Sequence, residues 1–173
     1  MGKYHVEKYS SIRYDLWNKF VANAKNATFL FHRDFMEYHK DRFEDFSLMF
    51  YENQKLVAVL PANRVGEAIH SHQGLTYGGL VFSSKIKAEK VAAIIDVLFQ
   101  FFIKKDILYF FYKPIPSFYL SGGNHEIDYF LFKKGAFLER KEMNLAINLT
   151  MPLIISKSKL KQKKKIEQLD LEI

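Results

Sequence analysis

The apolar positions of this chain change period along its length, and each change marks an element. In SIRYDLWNKFVANAKN (11–26), Tyr14, Trp17, Phe20, Val21 and Ala24 recur at helical spacing while Arg13, Lys19 and Lys25 stay wet, which predicts a first amphipathic helix. After the turn-prone KNAT, FLFHRDFMEYHKDRF (29–43) puts Phe31, Phe35 and Tyr38 on one side, which predicts a second. The period then drops to two: Phe46, Leu48 and Phe50 alternate with Asp45, Ser47 and Met49, ENQK turns, and LVAVLPANRV continues as a more buried strand. Pro61 limits regular pairing near the far end of that hairpin.

Two short strands, AIHSH (68–72) and YGGLVFS (77–83), precede the longest helix, KAEKVAAIIDVLFQFFIKK, whose stripe is Val91, Ile94, Ile95, Leu98, Phe99 and Phe102. ILYFFY is a buried strand entering the stiff KPIPSF, a short helix starts near Glu126 and stops at Gly135, and AFLERKEMNLAINLT (136–150) reads as a strand. The order is therefore strand, two helices, four strands, long helix, strand, short helix, strand. A basic helix, SKSKLKQKKKIEQ, and a strand-like LDLEI with Leu169, Leu171 and Ile173 on one face end the sequence. With no partner in the chain, that last strand is expected to pair with another molecule, a route to self-association through the C-terminal tail.

Composition narrows the class. With 49% apolar and 26% charged residues the chain is of globular type, and its 173 residues suit one domain with an appendage. It contains no cysteine, which excludes disulfides, thiolate zinc sites and cysteine nucleophiles. The N-terminus has no apolar leader core, and VAAIIDVLFQFFI is too short and too interrupted by Asp96 and Gln100 to span a bilayer, so the expected location is cytoplasmic, with no membrane span. The net charge of +7 is uneven: six lysines, Lys157, Lys159, Lys161, Lys163, Lys164 and Lys165, sit in nine residues without an acid. That run is either a solvated helix face or a site for RNA or another polyanion.

The glycine-rich SHQGLTYGGL (71–80) is the other unusual stretch. It leads into a strand, lacks the Gly-x-Gly-x-x-Gly spacing and has no Gly-Lys-Ser/Thr ending, so it is no nucleotide-phosphate loop. Its glycines either make a turn and a close backbone approach, or shape a groove for substrate. His70 and His72 share a strand face without a third ligand at fixed spacing, and His32 and His39 share a helix face without the Glu of a zinc motif, so no metal is expected. NHE (124–126) suits a loop entering a helix. Neither a nucleophile elbow nor an acidic metal triad is present.

WNKFVANAKNATFLFHRDFMEYHKDRFEDFSLMFYENQKLVAVLPANRV followed by IHSHQGLTYGGLVF, then YKPIPSFY and HEIDYFLFKKGAFLERKEMNLAINL, resembles the amino-terminal lobe of bacterial GNAT-superfamily acyltransferases of the FemAB-like group. The resemblance implies an α/β fold with a mixed, largely antiparallel sheet flanked by helices. It implies transfer of an acyl or aminoacyl group, from acyl-CoA or an aminoacyl-tRNA, to an amine-bearing small molecule or cell-wall precursor. It divides the chain into a GNAT-like lobe (1–150) and a basic linker helix with the start of a second lobe (151–173). The sequence departs from the pattern by stopping at LDLEI and by lacking the acyl-CoA fingerprint: the helix starting at Lys87 follows FSSKI, without glycines. As a lone lobe the chain would hold one reactant only, with His72, Gln73, Tyr77, Gly78 and Gly79 lining the groove and Tyr77 or His72 as its polar contact.

Overall fold

β3 (Leu48–Glu52) and β4 (Lys55–Leu60) form an antiparallel pair that is apolar on both sides. Successive side chains of a strand point to opposite faces, so Leu48 and Phe50 enter one core while Met49 and Tyr51 enter another. β1 (Tyr4–Lys8) and β7 (Val81–Phe82) complete an antiparallel sheet in the order β1-β3-β4-β7. This computed structural model describes residues 3–120, 122, 125–143, 145–152 and 154–168, with the side chain of His39 outside that description. It divides into a larger unit, Met1–Lys141, and a smaller one, Glu142–Ile173.

In the larger unit, α3 (Ala88–Lys104) and α4 (Glu126–Lys133) cover one face of the sheet. Val91, Ile94, Ile95, Leu98 and Phe102 of α3 are buried there with Ile127 and Leu131 of α4, as the helical stripe predicts. α1 (Tyr14–Ala22) covers the other face through Trp17 and Val21, beside Leu30, Phe31 and Met36. The register slips between Phe50 and Tyr51, which pair with Ala58 and Leu56. Val57 is thus an extra residue, and this bulge lets Val57 and Ala58 both face the α3 side.

A second sheet runs β2 (Glu44–Asp45), β5 (Asn63–Val65), β6 (Ala68–His70) and β8 (Tyr109–Phe111), in that order. Only its β6–β8 pair is parallel, so the sheets are mixed and largely antiparallel, and helices flank them, as the sequence implies. Pro61 lies between β4 and β5 and ends the first sheet's pairing at the expected place.

Three expected elements differ. β8, expected to be buried, is the edge strand of the second sheet and exposes Tyr109 and Phe111. The second helix is broken into a 3-10 turn (Phe29–Phe31), a single α-helical turn α2 (Arg33–Met36) and another 3-10 turn (Glu37–His39). The break at His32, which is extended (φ −69°, ψ 142°), lets Arg33 and Met36 rather than Phe35 and Tyr38 turn inward. The strand expected over 136–150 is absent from its described residues, where Phe137, Met143, Leu145, Ile147 and Leu149 are all exposed. Alternation alone does not make a strand when the backbone N–H and C=O groups have no ladder to join. In the smaller unit, α5 (Lys157–Glu167) forms as expected, its first turn closed by Ser156 Oγ accepting from Lys159 N–H. LDLEI lies outside the described residues, as does Asn124 of NHE.

Candidate functional site around Arg33 and His72

The broken helix delivers a guanidinium into the protein interior. Arg33 is only 4% exposed, its Cζ lies 3.8 Å from the centre of the Tyr9 ring, and Trp17 flanks it at 5.4 Å. A buried cation needs partners, because desolvation otherwise outweighs what it gains. Arg33 Nη2 donates to Asp45 Oδ2 at 2.6 Å, Nε to Glu37 Oε1 at 3.2 Å and Nη1 to Ser47 Oγ at 3.2 Å. Asp45 Oδ1 also accepts from Ser47 N–H at 2.9 Å. Burial raises the Asp45 pKa, but the Arg33 charge and the Ser47 hydrogen bonds outweigh it and hold the carboxyl below its usual value.

These groups form the wall of a cleft. Arg33, Met36, Glu37, Lys40, Phe43, Asp45 and His72 line a shallow cleft of about 20 Å³ that opens to solvent. A single water needs roughly 10–15 Å³, so this cleft has room for one small group such as an ammonium and not for a whole ligand. Two cationic and two anionic side chains balance its formal charge, which suits a zwitterionic or amine-bearing group better than a phosphate. His72 is 6% exposed, its ring meets that of Phe43 edge-on at 5.6 Å, and its φ of +70° places a side-chain-bearing residue in the left-handed region. Such a conformation costs about 1 kcal/mol or more and persists where the surroundings impose it.

The other sequence candidates lie beside this cleft rather than in it. Gln73 is clamped to Asn63: its N–H donates to Asn63 Oδ1 at 2.8 Å and its Oε1 accepts from Asn63 Nδ2 at 2.9 Å. Tyr77 is buried against Phe31 and Tyr119, and its hydroxyl donates to Thr28 Oγ1 at 2.9 Å. A Cβ on Gly78 would sit 1.6 Å from the Ser71 carbonyl oxygen, and one on Gly79 (φ +96°) 2.6 Å from the Tyr112 hydroxyl. The space beside both glycines is therefore occupied by the protein itself. Gly78 N–H donates to Lys113 O at 2.9 Å, and Ser71 N–H to Phe111 O at 2.9 Å, so the loop is stitched onto β8 and the segment that follows it. Burial pushes the Tyr112 phenol well above its usual pKa, which keeps it neutral under the loop.

His70 and His72 do not share a face. His70 stacks on Phe111 at 4.7 Å, and burial lowers its pKa. Among the described residues no group of three or more His, Cys, Asp or Glu could hold a metal ion, and no helix is long and apolar enough to cross a membrane. The six lysines of the basic run all lie on α5, and all are exposed.

The start of α3 offers little to seat a CoA diphosphate. Its N-cap, Lys87, provides no side-chain cap, the preceding SSKI contains no glycine to admit a phosphate, and Glu89 places a carboxylate in the first turn. Lys85 and Lys87 attract an anion there, but the backbone cradle of a diphosphate site is missing. The residues at this helix end therefore do not fit a CoA diphosphate.

No known protein family matches the chain, and no curated protein matches it. Among solved structures it is similar to the ribosomal-protein-S18-alanine N-acetyltransferase from Escherichia coli, at a TM-score of 0.42 and 10% identity, over 60% of this chain. The alignment spans 62% of that structure's length.

Proposed function

We propose that this chain is the acceptor-side lobe of an N-acyltransferase of the GNAT superfamily, FemAB-like in kind, and that the Arg33–His72 cleft receives the amine. The observation that carries this reading is His72: an imidazole held in left-handed backbone, nearly buried, at a small charge-balanced cleft. The sequence resemblance supports the reaction class, and the poor fit of the α3 start to a diphosphate supports assigning the donor to a site outside this lobe.

Acyl transfer to an amine asks little covalent help from a protein. The amine nitrogen must be placed against an activated carbonyl and must lose a proton as the new N–C bond forms and the bond to the leaving thiol or tRNA oxygen breaks. Asp45 and Glu37 are about equally exposed, 40% and 38% by side chain; Asp45 engages both its oxygens, through Arg33 and Ser47, and Glu37 commits one oxygen to Arg33. Its other oxygen faces an incoming ammonium. Lys40, on the same wall, suits a carboxylate or carbonyl elsewhere on the acceptor. On the same wall the His72 imidazole is the group assigned to receive the amine's proton, which then leaves to solvent. Asp45 and Arg33 hold the wall in place. Gln73, Tyr77, Gly78 and Gly79 position His72 by fixing the loop that carries it.

The test is calorimetric titration of acetyl-CoA into the chain, run beside thioester-consumption assays with primary amines. Binding of acetyl-CoA no tighter than about millimolar and no turnover without a separate donor-binding partner are expected. A micromolar dissociation constant, or turnover by the chain alone, would show a donor site on this lobe and refute the division of labour.

A further inference from the structure

The smaller unit contains a charged surface that acyl transfer does not use. We propose that α5 binds double-stranded nucleic acid along its phosphate backbone through Lys157, Lys161, Lys164 and Lys165. At about 100° per residue these four side chains fall within an arc of roughly 100°, and about 12 Å of helix rise separates the first from the last. No acid shares that arc: Glu167 lies elsewhere on the helix and meets Lys163 at 3.6 Å.

The helix is built against its own electrostatics. Its first turn carries no acidic residue, although the N-terminal end of a helix is its positive end and favours one. Lys157 and Lys161, and Lys161 and Lys165, are like charges one turn apart, a spacing that destabilises an isolated helix. Phosphates spaced along a duplex relieve both terms at once, and the counterions they release drive the association.

Other anionic partners fit less well. Insertion at a lipid surface needs an apolar face, but Leu160 and Ile166, the two apolar residues of α5, lie about 120° apart around it. An acidic protein surface would be met by apolar or aromatic anchors at the centre of the contact, and this arc has none. The helix also has no aromatic residue on which unpaired bases could stack, which favours duplex over single strand. Without arginine or asparagine on the arc, the contact reads charge and spacing rather than base sequence.

The experiment uses fluorescence anisotropy with the full chain and three probes: a 24-base-pair duplex of arbitrary sequence as DNA and as RNA, its single strand, and vesicles containing phosphatidylserine. Four phosphate contacts predict a slope of about −3.6 in log affinity against log salt, so that affinity for a duplex falls roughly 100-fold between 50 and 200 mM. The quadruple variant Lys157→Gln, Lys161→Gln, Lys164→Gln, Lys165→Gln keeps good helix formers and is expected to lose at least about tenfold at 50 mM salt. The control Lys159→Gln, Lys163→Gln, on the opposite side, should lose less than about threefold. Absence of duplex binding at 50 mM salt, equal losses in the two variants, or stronger binding to single strand or vesicles than to duplex would overturn the proposal. None of these outcomes bears on the amine site.

Discussion

Arg33 carries more of the local structure than any other charged residue, since it joins α2 to β2 and to the edge of β3 while lying between two aromatic rings. Arg33→Met keeps much of the stem but leaves Asp45 without its cation; because the Asp45 side chain is 40% exposed and water partly replaces that partner, the expected loss is about 1–2 kcal/mol in urea denaturation at pH 7. Arg33→Lys restores charge without the planar fork and should recover only part of it. At the loop, Gly78→Ala drives a methyl into a backbone carbonyl that has no rotamer to escape through, so a loss of roughly 3 kcal/mol is expected. Gly79→Val meets the Tyr112 ring and an unfavourable φ together, with about 1–3 kcal/mol expected. Unchanged denaturation midpoints in both glycine variants would show that the close approaches do not exist in solution. The close approach at the glycines is one of the two readings the sequence offers, whereas the role of Arg33 is not legible in the residue types. A lone arginine between Phe31 and Phe35 reads as solvent-facing, and only its spacing to Glu37, four residues on, hints at a pair. His72 was singled out for its company of glycines, whereas its left-handed backbone and its neighbours from residues 33 to 45 depend on tertiary packing.

Elements were legible where a single face decides them. The stripe of α3 is one-sided, so its five buried residues follow from period alone. β3 is buried on both sides, so the alternation over 45–50 does not separate core from solvent: Ser47 and Met49 are fully buried too, one as an acceptor for Arg33 and the other as core of the α1 side. The junction of β3 with α3 also carries a pH signature. Glu52 Oε2 accepts from Lys90 Nζ at 2.5 Å, and this hydrogen bond, with further ones from Lys3 and Tyr4, lowers the carboxyl to a pKa of about 2. A depressed folded-state pKa contributes stability above the unfolded value, and that stability is lost as pH falls through the folded one. The urea midpoint should therefore fall from about pH 4.5 towards pH 2, and Glu52→Gln should flatten that slope. Asp45, lowered as well, loses its contribution in the same direction. A midpoint independent of pH between 5 and 2 would mean that neither pair forms.

For the whole molecule, the mixed, largely antiparallel α/β class is the one the resemblance implies, but the end of the element order does not hold: 136–150 alternates like a strand and has no ladder among its described residues. α5 is exposed along its whole length. Deleting residues 157–173 should accordingly leave the melting temperature within about 2 °C of the full chain while abolishing salt-sensitive duplex binding. The central claim concerns the cleft, and amide-detected NMR titration of the full chain with primary-amine ligands bearing a carboxylate, such as free amino acids and short peptides, tests it most directly. Saturable shifts are expected at Arg33, Glu37, Lys40, Phe43 and His72, weakened at least about tenfold in Glu37→Gln, with acetyl-CoA leaving those amides unmoved. Saturable acetyl-CoA shifts at the cleft, or no response there to any amine at millimolar concentration, would contradict the account.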